Sequence, residues 1–164
     1  MNRPKPDALS WLWLSFVVIV ADQITKMIVM NELLPFEKRT VIPHLLDWTL
    51  AFNTGAAFSF LAGADGWQRW FFAVLAVAAS AALAVWLART PRRDWRTALP
   101  LSLVIGGALG NLIDRVYRGH VIDFILVYWK HWSWPAFNLA DSAISVGAVL
   151  LIAFGLRSRK PHQT

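Results

Sequence analysis

Four long apolar stretches alternate with polar segments along the chain, and this pattern predicts the architecture. The stretches cover residues 9–30, 67–88, 97–116 and 136–156. At about 1.5 Å of rise per helical residue, each is long enough to cross the roughly 30 Å hydrocarbon core of a bilayer. We therefore predict an all-α membrane protein with a small β element, in which four transmembrane helices form one integral-membrane domain over residues 1–164.

The composition supports the same class of protein. Hydrophobic residues make up 57% of the 164 positions, ten residues are tryptophan, and the mean hydropathy is +0.46. These values are too high for a soluble domain of this size. The net charge of +6 does not indicate nucleic-acid binding, because the basic residues cluster at the ends of the apolar stretches and form no basic stripe among stacking aromatics. The absence of cysteine excludes disulfides, thiol nucleophiles, cysteine metal ligands and a lipid on the chain itself.

The positive charges predict the orientation in the membrane. The connection between the second and third stretches contains Arg89, Arg92, Arg93 and Arg96, and the termini contain Arg3, Lys5, Arg157, Arg159 and Lys160. Cytoplasmic segments of membrane proteins are enriched in Lys and Arg, so we expect this connection and both termini to be cytoplasmic. The first stretch lacks a convincing small-residue cleavage site, so we expect it to stay as a helix rather than be removed as a secretory signal.

Two polar regions, 31–66 and 117–135, then lie on the outer face. Within the first, two short runs of aromatic and β-branched residues flank Asn53-Thr54-Gly55, which predicts a small pair of strands with Gly55 in the turn. The second region is rich in Trp and Tyr. We expect it to lie at the level of the lipid headgroups as an interfacial helix or loop.

Polar residues inside the apolar stretches share helix faces. Asp22 and Lys26, four residues apart near the outer end of the first helix, predict a structural salt bridge. Asn111, Asp114 and Arg115 share a face of the third helix. The guanidinium of Arg115 can hold a carbonyl or fix a carboxylate, while pairing of Asp114 with Arg115 or Lys26 is the structural alternative.

Asp123 and Asp141 lie against segments so apolar that an unexplained carboxylate there costs roughly 3 kcal/mol. Either one alone is more often a helix cap or a member of an ion pair. We expect them at similar depth, with no obvious basic partner, and with Asn138 one helical turn before Asp141. This favours a pair that shares a proton, because like charges held close cannot both ionise, and such a pair can activate water.

Other chemistries fit the sequence less well. The serines lie in no Gly-x-Ser-x-Gly motif, and the four histidines lack the spacing of metal ligands. Gly106 and Gly110 indicate close helix packing rather than a phosphate loop. A small ion- or proton-coupled transporter is the alternative function, but polar groups confined to the outer half argue against a carrier, which needs a site near the midplane. A membrane scaffold leaves the aspartate pair unexplained.

Five segments together resemble the bacterial lipoprotein signal peptidases, also called type II signal peptidases. They are DQITK at 22–26, NTGAAFS at 53–59, GGALGNLIDR at 106–115, GHVIDF at 119–124 and PAFNLADS at 135–142. The resemblance covers nearly the whole chain except the termini. It implies four transmembrane helices, an outer-face β-cradle and a short interfacial helix.

The resemblance also implies an activity and a set of site residues. The activity is that of an aspartyl endopeptidase of the bacterial inner membrane, which removes signal peptides from diacylglyceryl-modified prolipoproteins on the N-terminal side of the modified cysteine at the outer face. The catalytic pair is Asp123 and Asp141. The substrate site is lined by Asn53, Asn111, Arg115 and Asn138. The residues that support the site are Asp22, Lys26, Asp114 and Gly55. The expected partners are lipid-modified prolipoproteins and membrane lipids; we expect a monomer that needs no metal or cofactor and binds no nucleic acid.

Overall fold

The computed structural model describes residues 7–55 and 66–158. Within these ranges, four helices are long and apolar enough to cross a membrane. They are α1 (Leu12–Glu32), which follows a 3₁₀ turn at Ala8–Trp11, α2 (Trp67–Arg89), α3 (Trp95–Tyr117) and α4 (Leu139–Ser158). The prediction of four spans is confirmed. The last helix begins three residues later than expected, at Leu139 rather than at position 136.

Helix α3 is the centre of the bundle and packs against α1, α2 and α4. Glycines on α3 allow two of these approaches. A Cβ atom on Gly106 would lie 2.9 Å from the backbone of Ser15 in α1, and one on Gly107 would lie 2.3 Å from the carbonyl oxygen of Ala140 in α4. Small residues at helix contacts are typical of membrane proteins, where lipid offers apolar side chains as good an environment as another helix does. The predicted packing role of this glycine-rich segment is confirmed.

A four-stranded antiparallel sheet lies at one end of the bundle, in the order β1-β2-β3-β4. Its strands are β1 (Lys38–Ile42), β2 (Leu46–Asn53), β3 (Val121–Trp129) and β4 (Trp132–Ser133). The strand expected just before Asn53 is therefore present as β2. It pairs with β1 and β3, and the second run expected to pair with it, at 56–61, lies outside the described residues.

The expectation of an interfacial helix or loop at 117–135 is wrong, because β3 and β4 occupy most of this region. The run Val-Ile-Asp-Phe-Ile-Leu-Val-Tyr-Trp consists largely of β-branched and aromatic residues, which favour a pleated, half-buried surface. Residues 121–124 are buried, since β2 lies beside them and helix ends pack against them. Tryptophans that suggested a headgroup-level helix thus belong to a strand hairpin.

Two buried clusters fix the sheet and the opposite end of the bundle. The cluster between α1 and the sheet consists of Val29, Leu33, Leu50, Ile122 and Phe124. The cluster at the other end consists of Ala8, Leu87, Ala98, Leu101 and Ile105. There the backbone nitrogens of Asp7 and Ala8 also donate to the carbonyl of Thr90, in the connection between α2 and α3. We call these the sheet end and the arginine end of the bundle. At the sheet end, an isolated bridge between Ile125 and Phe137 brings the middle of β3 alongside the segment that precedes α4.

Candidate active site at the sheet end

Asp123 is the third residue of β3, and its side chain is held by two amides. Asn53 at the end of β2 donates from Nδ2 to Asp123 Oδ2 at 3.0 Å, and Asn138 donates from Nδ2 to Asp123 Oδ1 at 2.8 Å. Only 3% of the residue is exposed. Burial, followed by the nearby charge of Asp141, raises the pKa of Asp123 to about 7, although both amide hydrogen bonds act in the opposite direction.

Asp141 lies in the first turn of α4, where it takes part in a reciprocal helix cap. The side-chain oxygen of Asn138 accepts from the backbone nitrogen of Asp141 at 2.8 Å, and Asp141 Oδ2 accepts from the backbone nitrogen of Asn138 at 3.2 Å. This is the geometry of a capping box, with Asn and Asp in place of the more common Ser and Glu. Because α4 begins at Leu139, Asn138 precedes the helix and caps it, rather than lying one turn earlier on its face.

Asn138 joins the two carboxyl groups. It is fully buried, and while its backbone holds Asp141, its Nδ2 donates to Asp123 and also to Asn111 Oδ1 at 3.1 Å. Asn111 in turn donates from Nδ2 to Asp141 Oδ1 at 2.7 Å. The structure therefore places both aspartates around one asparagine. Among the described residues, no Lys or Arg forms an ion pair with either aspartate.

Both aspartates face a pocket of about 830 Å³, which lies within the size range of ligand sites. Its wall also contains three of the four predicted substrate-site residues, Asn53, Asn111 and Arg115, whereas the fully buried Asn138 does not line it. The apolar part of the wall comes mainly from the end of β2, the segment before α4, and α4 itself. It includes Phe52, Val121, Trp134, Phe137, Ile144 and Val146. Such a wall can hold an extended peptide with apolar side chains while two acids reach one of its bonds.

Arg115 holds the turn that follows β2. Its NH2 donates to the carbonyl of Gly55 at 3.1 Å, its NH1 donates to the carbonyl of Asn111 at 3.4 Å, and the guanidinium carbon lies 5.2 Å from the centre of the Phe72 ring. The backbone nitrogen of Gly55 donates to Asn53 Oδ1 at 3.0 Å. Arg115 therefore fixes Gly55, which fixes Asn53, whose amide reaches Asp123.

Below the pocket, Lys26 is surrounded by three acceptors. Its Nζ lies 2.7 Å from Asp22 Oδ2, 2.7 Å from Asp114 Oδ2 and 3.1 Å from Asn111 Oδ1, so each of its three protons has a partner. The side chains of Lys26, Asp22 and Asp114 are fully buried. The predicted pair of Asp22 with Lys26 is present. Asp114 pairs with Lys26, which is one of the two predicted alternatives, and also with Arg118. The described residues show no ion pair between Asp114 and Arg115, the other alternative.

The same carboxylates hold the backbone next to each candidate catalytic residue. Asp22 Oδ1 accepts from the backbone nitrogen of Ala140 at 2.9 Å, and Ala140 directly precedes Asp141. Asp114 Oδ2 accepts from the backbone nitrogen of Ile122 at 3.2 Å, and Ile122 directly precedes Asp123. One buried ammonium thus fixes, through two carboxylates, the starts of both α4 and β3.

Sequence reasoning missed two members of this network, Gln23 and Arg118. Gln23 Nε2 lies within 3.2 Å of oxygens on Asp22, Asp114 and Gly110, and its Oε1 accepts from Arg118 NH1 at 3.0 Å. Arg118 supplies the second cation, so two buried carboxylates meet two cations. The spacing of four residues between Asp114 and Arg118 could have indicated this ion pair. Arg115 was considered as the partner instead, because it directly follows Asp114 in the sequence.

Replacing Lys26 with Met should destabilise the protein strongly. The change leaves Asp22 and Asp114 buried without their shared partner, and losing one member of a buried ion pair costs about 3 to 5 kcal/mol. Thermal unfolding of the purified protein in detergent measures the effect. Lys38→Met on the exposed strand β1 is the matched control and should be nearly neutral. Equal unfolding temperatures for the two variants would show that the buried network contributes little.

Comparisons with known proteins agree on one family. Residues 14–157 match the family model described as signal peptidase (SPase) II. The lipoprotein signal peptidase of Pseudomonas fluorescens strain Pf0-1 is 58% identical over 153 residues, which cover 93% of this chain and 90% of the relative. The lipoprotein signal peptidase of Pseudomonas syringae pv. tomato is 55% identical over 165 residues, which cover 100% of this chain and 95% of the relative.

Two solved structures, each described as a bacterial membrane enzyme, share the fold. One superposes with a TM-score of 0.84 at 30% identity and covers 99% of both chains. The other has a TM-score of 0.78 at 31% identity and covers 94% of this chain and 98% of its own.

Proposed function

Because the chain belongs to the signal peptidase II family, we propose that Asp123 and Asp141 are the catalytic pair with which this membrane protease removes signal peptides from prolipoproteins. The observation that carries the proposal is that both carboxyl groups lie on the wall of one pocket and are hydrogen-bonded to the same buried residue, Asn138. Because both acids line the same pocket, we expect them to reach one peptide bond of a substrate bound there. The lipoprotein signal peptidases at 55 to 58% identity give no support to the transporter alternative.

The proposed chemistry is direct attack by water. One carboxylate takes a proton from a water molecule, whose oxygen attacks the scissile carbonyl carbon. The other carboxyl group donates its proton to the carbonyl oxygen, and a proton then reaches the departing nitrogen. Every group in this scheme belongs to one chain, which supports a monomer as the working unit.

The substrate-site residues have distinct proposed roles. Asn111 and Asn138 use their amides on the two carboxyl groups and on each other, so we assign them to orienting the acids. Arg115 and Gly55 shape the pocket by holding Asn53, which lies beside the cut bond. The apolar wall formed by Phe137, Ile144 and Val146 then receives the hydrophobic part of the signal peptide.

The location of the pair suits a lipid-modified substrate. Asp141 lies in the first turn of a membrane-spanning helix, and Asp123 lies in a strand that starts four residues after α3 ends. The pair is therefore close to the level where a bilayer ends. A diacylglyceryl group on the cysteine after the cut keeps its acyl chains in the bilayer and holds the scissile bond at that level.

We propose that the sheet end faces outward from the bacterial inner membrane, and that the arginine end and both termini face the cytoplasm. The arginine-rich connection between α2 and α3 supports this orientation by the positive-inside rule. Trp11, at the start of the first span, donates from its indole to the carbonyl of Arg92 in that connection at 3.4 Å. The beginning of α1 therefore lies on the same side as the connection.

Reporter insertions test the orientation. A reporter that is active only outside the cytoplasm should be inactive when inserted at Arg93 and active when inserted at His44, in the turn between β1 and β2. The reverse pattern would put the aspartate pair on the cytoplasmic face and contradict the proposed site of cleavage.

Asp123→Asn and Asp141→Asn should each lower kcat by at least about 10³-fold, because each removes one of the two groups that transfer protons. The double variant should be little slower than either single variant, since residues that act as one catalytic unit are strongly non-additive. The measurement is cleavage of a diacylglyceryl-modified prolipoprotein by purified enzyme with a metal chelator present.

The matched control for these variants is Asp94→Asn at the arginine end. Asp94 caps α3 by accepting from the backbone nitrogen of Thr97, and Asn caps helices as well as Asp does. This variant should cleave at the wild-type rate. Substantial activity in either Asp123→Asn or Asp141→Asn, or loss of wild-type activity in the chelator, would contradict the proposed mechanism.

Arg115→Lys should lower kcat/KM roughly tenfold or more, although the charge is kept. Lys cannot hold the Gly55 and Asn111 carbonyls together, and a hydrogen bond to a charged group contributes roughly 1.5 to 3 kcal/mol. Arg69→Lys is the control, because Arg69 also binds a carbonyl, that of Val116 at 2.8 Å, and packs on Trp70, but does not line the pocket. Equal effects of the two changes on processing would show that the fork of Arg115 has no special role.

A further inference from the structure

We propose that the proton shared by the pair resides on Asp123 in the resting enzyme, so that Asp123 is the general acid and Asp141 is the general base. This inference rests on the proposed function and assigns separate roles within it. It follows from the different surroundings of the two side chains, which the structure holds in two different kinds of secondary structure.

The surroundings of Asp141 favour a negative charge. The first turn of a helix carries the positive end of the helix dipole, and Asp141 lies in the first turn of α4. Its two oxygens accept from the backbone nitrogen of Asn138 and from the amide of Asn111. The other end of that Asn111 amide accepts from the ammonium of Lys26. A single polarised amide therefore separates the carboxylate of Asp141 from a buried cation.

The surroundings of Asp123 favour the neutral acid. It lies in a strand, and a sheet has only a small net dipole. It is 3% exposed, whereas Asp141 is half-buried at the pocket. Its two side-chain donors, Asn53 and Asn138, are neutral amides. Burial together with the charge of Asp141 raises its pKa to about 7, against the smaller opposing effects of these two hydrogen bonds and of the charge of Lys26. When only one of the two groups can ionise, the charge is more stable on Asp141.

The roles balance over one catalytic cycle. Asp141 removes a proton from water as the water oxygen bonds to the carbonyl carbon, and Asp123 gives its proton to the carbonyl oxygen, which yields a neutral tetrahedral diol. The carbon–nitrogen bond then breaks while Asp141 returns its proton to the leaving nitrogen. A hydroxyl of the diol gives its proton to Asp123 as the new carboxylic acid forms. Both aspartates end in their starting states, and one water has been consumed.

The assignment predicts the direction of the alkaline pH dependence. The acid form of Asp123 is present below a pKa of about 7 and is lost as the pH rises through it. The value of kcat/KM should therefore fall above pH 7 by about tenfold per pH unit. Asp141→Asn removes the neighbouring charge, so the titration of Asp123 should move to lower pH in that variant, while burial, which is the larger cause of the raised pKa, keeps Asp123 protonated under mildly acidic conditions.

Infrared spectroscopy tests the assignment without reference to cleavage. The carbonyl stretch of a protonated carboxyl group is distinct from that of a carboxylate, and at about pH 5.5 an ordinary aspartate is ionised. The wild-type protein and the variants Asp123→Asn, Asp141→Asn and Asp94→Asn would be reconstituted in lipid vesicles and compared at that pH. The band lost in each variant identifies the group that carried the proton.

We expect the protonated-carboxyl band to lose one group in Asp123→Asn and to be unchanged in Asp141→Asn and Asp94→Asn. Loss in Asp141→Asn but not in Asp123→Asn would reverse the roles. Loss in both would show a proton shared equally, and loss in neither would show that the pair holds no proton; each overturns the assignment. The infrared result does not depend on the cleavage assay. Cleavage can therefore show that the pair is catalytic while the infrared bands show that the proton is not on Asp123, and the location of the proton can be established even if the pair is not catalytic.

A second measurement uses the unmodified chain, in case a variant does not fold. An epoxide probe small enough for the pocket is opened by an ionised carboxylate, whose oxygen bonds to the epoxide carbon while a neighbouring acid protonates the departing oxygen. Mass spectrometry of the labelled wild-type enzyme should locate the ester on Asp141. An ester on Asp123 would overturn the assignment.

Discussion

The ammonium group of Lys26 is the contact on which the arrangement of this protein depends. It neutralises Asp22 and Asp114 where no water reaches them, and those carboxylates reach the first residues of α4 and the start of β3. A buried ion pair is weak evidence for stability, because desolvation offsets much of the attraction. Here the network instead determines where two chain segments begin, and each of those segments presents one aspartate to the pocket.

The site lies at the junction of a helix bundle and a sheet, and each contributes something that the other lacks. The bundle provides a rigid base, in which Gly107 lets α3 touch the backbone of α4, together with the helix end at which Asp141 lies. The sheet provides a buried strand position for Asp123 and the end of β2 for Asn53. Two acids with different surroundings can divide the work of a general acid and a general base, whereas identical surroundings give no such preference.

Much of the fold and of the candidate site could be predicted from the sequence, because the residues involved form recognisable patterns within short segments of the chain. Short segments of the sequence are enough to show the lengths of the spans and the four-residue spacing of Asp22 and Lys26. They also show the apolar residues around Asp123 and Asp141. The pairing of β2 with β3 was not visible in this way, since it joins segments about 70 residues apart, and the Trp-rich hairpin was mistaken for a helix or loop. The cap formed by Asn138 was also missed. Where a helix starts depends on which polar side chain accepts hydrogen bonds from its first backbone N–H groups. Here the side chain of Asn138 accepts from the backbone nitrogen of Asp141, so Asn138 caps the helix rather than extending it.

Under the proposed mechanism, the reciprocal cap between Asn138 and Asp141 makes activity depend on the local order of one helical turn. Terminal turns open more readily than any other part of a helix, and opening this one releases Asn138 from both acids at once. Asn138 then no longer holds the two carboxyl groups together, although the rest of the bundle is intact. Under that mechanism, the fraction of molecules able to cut depends on the opening equilibrium at the amides of Ala140 and Asp141, and a ligand that bridges the two acids favours the closed turn.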